Sequence, residues 1–234
     1  LFFTTVKVET VDTQGNLGVG TSFVFNLTDG KTSYLFLVTN KHVIKGVQKG
    51  GPLFLRGAEG KPILGSGFNL ELDNFGEWWF GHPDEEIDVA VAPLVPLQAH
   101  IEKQGVEVFY RAIPDSLVPS KESLNQLDAL EEVIFIGYPS GIWDRKNLLP
   151  IARRGTTATP VAVDFQGIKQ FLVDASVFPG SRGSPVFLYN AGMYHDKRGT
   201  TIVGTRLLFL GVVASVFCEW QKNELRLKGT PTVH

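Results

Sequence analysis

Residues 178–187 read Phe-Pro-Gly-Ser-Arg-Gly-Ser-Pro-Val-Phe, and this stretch decides the fold. Glycine permits positive φ angles and lets a backbone approach a ligand closely. The pattern Gly-x-x-Gly-x-Pro therefore predicts a tight turn whose N–H groups converge on one point, as an oxyanion hole requires. A surface hairpin connection has the same composition of glycine, serine and proline. The rest of the chain has to decide between these two interpretations.

The bulk composition limits the class of protein. With 234 residues, the chain is long for a single domain but within the range of one large β architecture. Its content of 43% hydrophobic and 20% charged residues is that of an ordinary soluble globular protein. A net charge of −2 provides no basic patch for nucleic acid. The longest apolar runs, such as residues 207–214, are shorter than a membrane span. We therefore expect neither nucleic acid nor a membrane as a partner.

The single cysteine, Cys218, excludes an intramolecular disulfide. Secreted β proteins of this size often carry several disulfides, and no signal peptide is visible, so we expect a cytoplasmic location. The chain begins at Leu1 rather than at methionine. We expect a trimmed or processed product, or one domain of a longer protein, so that further domains can be fused to it or associated with it.

Four of the five histidines give no indication of a metal site, and no cofactor is expected. They are scattered along the chain without the spacing of metal ligands, at His82, His100, His195 and His234.

Short apolar runs bounded by turn residues predict an antiparallel β protein in two halves. The predicted strands are residues 4–11, 18–25, 33–39, 75–80, 88–94, 132–139, 150–162, 170–175, 185–189 and 205–217, and residues 50–72 are predicted to form a strand, a loop and a further strand. Between the halves, leucines spaced among polar residues indicate one or two short helical turns. We expect an N-terminal β half at residues 1–112, a linker with short helical turns at residues 113–131 and a C-terminal β half at residues 132–234, which together form one domain.

Two polar residues adjoin predicted strands. His42 follows the strand at residues 33–39, where a short helical turn can begin. Asp88 lies between Ile87 and Val89 at the start of an apolar strand, where a carboxylate should be buried and must then be paired or hydrogen-bonded. Taken singly, His42 could be structural or exposed, and Asp88 could cap a turn at the strand entry.

A histidine, an aspartate and a serine-containing glycine loop follow one another in the chain order of one of the convergent Ser-His-Asp arrangements. In such a site the histidine accepts the proton of the nucleophile, and the aspartate fixes the histidine tautomer. The loop supplies the nucleophile and the N–H groups that stabilise the oxyanion.

With these pieces in order, the chain resembles the trypsin-like (chymotrypsin-fold) serine peptidases, especially the bacterial intracellular type without disulfides. The resemblance implies two antiparallel six-stranded β-barrels with the active site in the cleft between them. His42 and Asp88 would come from the first barrel and the nucleophile loop from the second, with a peptide or protein as substrate and no cofactor. The matching segments are residues 20–23, 37–43, 87–90, 137–139, 180–185 and 211–215.

The nucleophile position departs from the pattern of this family. The family motif is Gly-x-Ser-Gly-(Gly/Ser)-Pro, and counting back from Pro185 places Arg182 where the serine belongs. A guanidinium stays protonated and cannot attack a carbonyl. The resemblance assigns the oxyanion hole to the N–H groups of Gly180 and Arg182. Ser181 and Ser184 are the alternatives for a shifted nucleophile, although Ser184 fits a small position that the family itself allows.

Two roles of Arg182 stay open at the level of the sequence. In the first, the arginine silences a peptidase, whether the change is natural or introduced. Alternatively, its guanidinium occupies the cleft near His42 and reaches an acidic group or a bound carboxylate. The corresponding functions are an inactive serine endopeptidase, a pseudopeptidase that binds a peptide or protein, and a scaffold domain of a larger assembly.

The resemblance also implies the position of the pocket for the substrate side chain that precedes the cleaved bond. Its walls would be the residues before the loop and the strand at residues 211–217, and they would include Ser176, Ala214 and Ser215. No carboxylate falls at the expected floor, so Ser176 predicts a small or apolar substrate side chain.

Overall fold

The computed structural model describes residues 1–139, 142–175, 181–217 and 230–233. About half of these residues lie in β-strands and few lie in helices, which confirms the predicted all-β class. The first half contains β1 (Thr5–Asp12), β2 (Leu17–Asp29), β3 (Thr32–Thr39), β4 (Val47–Ala58), β5 (Lys61–Asn69), β6 (Leu72–Asp73), β7 (Phe80–Gly81), β8 (Ala90–Pro93), β9 (Val108–Phe109) and β10 (Ile113–Pro114). The second half contains β11 (Glu132–Gly137), β12 (Ile151–Thr157), β13 (Phe171–Asp174), β14 (Pro185–Asn190), β15 (Met193–His195), β16 (Thr201–Val203), β17 (Arg206–Phe217) and β18 (Thr230–Val233).

The helices are short. They are α1 (Lys41–Ile44), α2 (Leu94–Glu102) and α3 (Lys121–Asn125), with two 3-10 turns at Phe75–Trp78 and Asp115–Leu117. The helix α3 and the second 3-10 turn lie inside the predicted linker, where helical turns were expected. None of the helices in the described ranges is long and apolar enough to cross a lipid bilayer.

The first half forms a ten-stranded sheet in the order β5-β4-β1-β2-β3-β8-β7, with β6 and β9 on β4 and β10 parallel to β2. This arrangement differs from the expected closed barrel of six strands. Within residues 1–114, all of which are described, no strand pairing joins β5 to β7. The long strand β4 bends at an irregularity between Leu55 and Gly57 and pairs with β1, β5, β6 and β9, which adds strands that a six-stranded barrel would lack.

Strand side chains alternate between two faces, so every second residue of the sheet can point into the core. In this half the core consists of such strand residues packed together with the buried side chains of α2. Its fully buried members include Val8, Val24, Leu37, Phe54, Leu94 and Ile101.

The second half contains the expected six-stranded barrel. Its strands run in the order β11-β12-β13-β18-β17-β14, and β14 pairs with β11 to close the ring. The residues facing inward are mostly β-branched or aromatic, as suits strands. The buried cluster inside the barrel consists of Val133, Phe135, Phe171, Val173, Val186, Val213 and Val233.

A third buried cluster joins the two halves. Phe23, Val38 and Ile113 of the first half pack with Phe187 and Val212 of the second. The halves therefore bury apolar surface against each other as well as within themselves.

Three local predictions are wrong. The strand expected at residues 150–162 covers only Ile151–Thr157, and bends and turns follow it. Residues 75–80 were expected to form a strand, but Phe75–Trp78 is a 3-10 turn that follows Asn74, which has a left-handed φ of 52°. Phe75 and Trp79 are nonetheless buried, so these aromatic side chains contribute to the core. The strand expected to begin at Asp88 begins at Ala90, and Asp88 lies in the loop that precedes it.

Candidate active site

Backbone hydrogen bonds fix the glycine loop at the junction of the two halves. The Arg182 carbonyl accepts a hydrogen bond from Thr21 N at 3.2 Å, and Gly183 N donates to Val213 O at 2.9 Å. Inside the loop, Ser184 N donates to Ser181 O at 3.1 Å. The tight turn predicted from residues 178–187 is therefore present in its described part.

Gly183 cannot be replaced without disturbing this turn. Its φ is +83°, and a Cβ atom at this position would lie 1.9 Å from the Thr21 carbonyl oxygen. Glycine is the residue that adopts this φ without steric cost. The glycine recognised in the sequence therefore allows the loop to lie directly against β2.

His42 and Asp88 lie in contact. The imidazole Nδ1 is hydrogen-bonded to Asp88 Oδ2, and the backbone N–H of His42 donates to Asp88 Oδ1 at 3.1 Å. Asn40 Nδ2 donates to the Asp88 carbonyl at 2.6 Å. The strands explain this contact, since β3 pairs with β8 through Thr39 and Ala90. His42 lies just after the end of β3, and Asp88 lies just before the start of β8.

The pair is partly buried, with side-chain exposures of 32% for His42 and 25% for Asp88. Asp88 was expected to be buried and paired, and it is paired but still reaches solvent. With Asp88 ionised, Nδ1 carries the proton and Nε2 is the basic nitrogen. Nε2 is buried and makes no hydrogen bond with any part of the chain that the structure describes. An imidazole held in this way has the geometry of a general base.

Arg182 occupies the loop position that the resemblance assigns to the nucleophile. The residue is exposed, and its guanidinium makes no hydrogen bond or ion pair with the described residues. The expected contact between Arg182 and an acidic group of the same chain is therefore not found among them.

The two neighbouring serines are both buried, with exposures of 1% for Ser181 and 0% for Ser184. Ser181 Oγ accepts a hydrogen bond from an Arg153 guanidinium nitrogen at 2.6 Å. Ser184 Oγ lies close to Gly137 of β11. A side chain at position 137 would collide with it, since a Cβ atom there would be only 2.0 Å away. In the described residues neither hydroxyl is hydrogen-bonded to His42, which argues against both as a shifted nucleophile.

Sequence reasoning missed Arg153. It lies on β12 opposite Phe135, and its guanidinium carbon is 5.1 Å from the centroid of that ring. Burial lowers the pKa of Arg153 from its ordinary value because desolvation disfavours the charged form. The sequence shows two adjacent arginines, Arg153 and Arg154, on a predicted strand, so one of them should point toward the barrel interior. The sequence pattern does not tell which of the two it is.

The predicted substrate pocket is described only in part. Ala214 is buried and Ser215 is exposed, both on β17 beyond the end of β14 at Pro185. Ser176, Gly180 and Cys218 lie outside the described residues. Within the described ranges, no three His, Cys, Asp or Glu side chains form a group that could hold a metal ion.

Comparison with known proteins gives the fold. No protein-family model matches the chain, and no curated protein sequence does. Among solved structures, the thermostable serine protease AL20 from an extremophilic microorganism is similar with a TM-score of 0.52 and 15% identity, over 99% of this chain and 90% of that one. The MamO protease domain from Magnetospirillum magneticum matches with a TM-score of 0.53 and 9% identity, over 99% and 91% of the two chains.

The fold is that of the trypsin-like serine proteases. The HtrA-type protease AlgW, solved with a tripeptide, also matches, with a TM-score of 0.50 and 14% identity over 99% of this chain and 56% of that one. At such identities the likeness concerns the fold, so the roles of individual residues have to be argued from the geometry of this site.

Proposed function

We propose that this chain is a trypsin-like serine endopeptidase domain that does not hydrolyse peptide bonds in its present form, because Arg182 occupies the position of the nucleophilic serine. One observation carries the proposal. The His42–Asp88 pair and the described part of the glycine loop, from Ser181 onward, are both formed, while the exposed residue at the nucleophile position is an arginine. A cytoplasmic location and a bacterial origin remain predictions.

The chemistry follows from this arrangement. In a Ser-His-Asp peptidase the imidazole removes the proton of the hydroxyl nucleophile, and the carboxylate holds the imidazole in the correct tautomer. His42 Nε2 and Asp88 can supply these two functions. The backbone N–H of Arg182 is a candidate donor to the oxyanion, since a residue at position 182 carries this N–H whatever its side chain is. The guanidinium stays protonated and forms no acyl-enzyme.

The direct test compares this chain with the Arg182→Ser variant on an unfolded protein substrate such as casein. We expect no turnover by the unsubstituted chain and turnover by the variant. Adding His42→Ala to Arg182→Ser should remove the gained activity, by a factor of about 10³ or more if His42 is the base. Hydrolysis by the unsubstituted chain would contradict the proposal, and so would an inert but folded Arg182→Ser variant.

A pseudopeptidase that binds peptides is the second candidate function, and the exposure of Arg182 favours it. A guanidinium that finds no acidic partner in the described residues can bind a carboxylate with two parallel hydrogen bonds. We expect a pool of random hexapeptides with free C-terminal carboxylates to be retained more strongly than the same pool with C-terminal amides. The difference should disappear in Arg182→Met. Equal retention of both pools by the unsubstituted chain would exclude this role.

A further inference from the structure

We propose that Arg153 is a positioning residue that holds the Ser181–Ser184 turn against the wall of the second barrel. Through this turn it would fix the peptide unit that carries the N–H of Arg182. The consequence for catalysis rests on the proposed function, but the effect on the loop does not.

The contact between the half-buried Arg153 and Ser181 is buried at its serine end. Its donor–acceptor distance is 2.6 Å, and Ser181 is only 1% exposed. A hydrogen bond from a charged donor is stronger than a neutral one, so the loss of this contact should weaken the hold on the turn measurably.

The side chain of Arg153 is fixed at both ends. Its backbone is part of β12, where it pairs with Phe135 of β11. Its guanidinium lies over the ring of the same Phe135, with 5.1 Å between the guanidinium carbon and the ring centroid. A planar guanidinium can stack on a ring and donate from its edge at the same time, which an ammonium cannot do equally well.

The position of Ser181 in the turn explains why this contact matters. The Ser181 carbonyl accepts a hydrogen bond from Ser184 N, and the same peptide unit continues into the Arg182 N–H. A rotation of that peptide would move the Arg182 N–H and break the bond to Ser184. The bonds from Thr21 to Arg182 O and from Gly183 to Val213 O hold the following part of the turn. The hydrogen bond of the Ser181 side chain to Arg153 therefore restrains the part of the turn that precedes Arg182.

The first test uses the unsubstituted chain and needs no activity. Arg182 is exposed, so trypsin can cleave the Arg182–Gly183 bond whenever the turn opens. The Arg198–Gly199 bond in the exposed connection between β15 and β16 is an internal reference, with both products measured by mass spectrometry. In Arg153→Met, cleavage at 182 relative to 198 should rise about tenfold or more, as expected for the loss of a charge-assisted hydrogen bond to a buried hydroxyl.

The matched control is Arg154→Met, which removes an exposed arginine from the next position of β12 and should leave this ratio unchanged. Ser181→Ala should raise the ratio in the same way as Arg153→Met. Combining the two substitutions should add little, because both remove the same contact.

The second test measures catalysis in the Arg182→Ser background. Adding Arg153→Met should lower kcat about tenfold or more and change KM less than about threefold, because oxyanion stabilisation acts on the transition state. Arg153→Lys should give an intermediate kcat, since it keeps a charged donor and loses the planar edge.

The two tests separate the possible failures. If Arg182→Ser is inert but Arg153→Met still raises the cleavage ratio, the proposed function fails and Arg153 still holds the turn. If Arg153→Met leaves the cleavage ratio equal to that of Arg154→Met, the inference is overturned whatever the activity. A loss of kcat in the Arg182→Ser background without any change in the cleavage ratio would also overturn it.

Discussion

At the scale of single residues, the site contains three polar side chains in quite different surroundings. The Arg182 guanidinium is exposed, the Ser181 hydroxyl is buried and bonded to Arg153, and the Ser184 hydroxyl is buried without a hydrogen-bond partner among the described residues. A nucleophile must be both reachable by substrate and close to its base. Neither serine meets these two conditions, which supports our proposal that hydrolysis would require a nucleophile at position 182.

The surroundings of the Ser184 hydroxyl can be tested through stability. Ser184→Ala removes a buried hydroxyl that has no hydrogen-bond partner in the described part of the chain, so we expect the free energy of unfolding to stay within about 1 kcal/mol of the original or to rise. The matched control is Ser22→Ala, because Ser22 Oγ is also buried but donates to Val38 O at 2.9 Å. The control should lose about 1 kcal/mol. Denaturant unfolding measures both, and a larger loss at Ser184 than at Ser22 would contradict the structure.

The pairing of Asp88 with His42 predicts a large catalytic effect in the Arg182→Ser background. Adding Asp88→Asn should lower kcat by about 10⁴-fold, because an amide that donates to Nδ1 favours the wrong histidine tautomer. Asp84→Asn, in the exposed loop before β8, should leave kcat nearly unchanged. Initial rates on a peptide substrate measure both, and similar rates for the two variants would show that Asp88 has no role in orienting His42.

At the scale of elements, the described part of the glycine loop is a hydrogen-bonded turn with a defined requirement at Gly183. Gly183→Ala places a Cβ atom 1.9 Å from the Thr21 carbonyl, in addition to the cost of a φ of +83°. We expect a loss of more than about 3 kcal/mol in the free energy of unfolding, or a failure to fold.

Gly192 is the matched control, because its φ is +88° and a Cβ atom there would meet nothing within 4 Å. Gly192→Ala should therefore cost only the backbone term of about 1–2 kcal/mol. Equal losses for the two variants in denaturant unfolding would show that loop contact with β2 does not constrain Gly183.

The elements also show how far the sequence could predict this structure. The glycine motif and the strands that flank His42 and Asp88 have strong local patterns, and the structure places these two residues in contact as the motif order implied. Residues 75–80 were mistaken for a strand because aromatic residues favour strands, while the left-handed residue Asn74 starts a 3-10 turn there instead. The contact of Arg153 with Ser181 joins residues 28 positions apart and has no local signature.

At the scale of the whole molecule, the halves share a buried cluster and a polar contact. Phe187 of β14 is fully buried in the cluster that also contains Phe23 and Ile113 of the first half. The backbone N–H of Tyr138 donates to Thr21 Oγ1 at 2.9 Å across the same junction. We therefore expect the two halves to unfold together.

Phe187→Ala should reduce the free energy of unfolding by about 3–5 kcal/mol and keep a single transition. Phe80→Ala, at a side chain that is 64% exposed, should change it by less than about 0.5 kcal/mol. Tryptophan fluorescence and far-UV circular dichroism should give the same denaturation midpoint for each variant. Two separate transitions in the unsubstituted chain would contradict the shared core.

The central claim is that the residue at position 182 prevents catalysis beside a formed His42–Asp88 pair, and covalent labelling tests it most directly. The unsubstituted chain, Arg182→Ser, and Arg182→Ser combined with His42→Ala are each treated with a fluorophosphonate probe and weighed by intact-protein mass spectrometry. We predict one probe adduct on Arg182→Ser, at position 182, and none on the other two proteins. A labelled Ser181 or Ser184 in the unsubstituted chain, or a folded Arg182→Ser variant that takes no label, would contradict the claim.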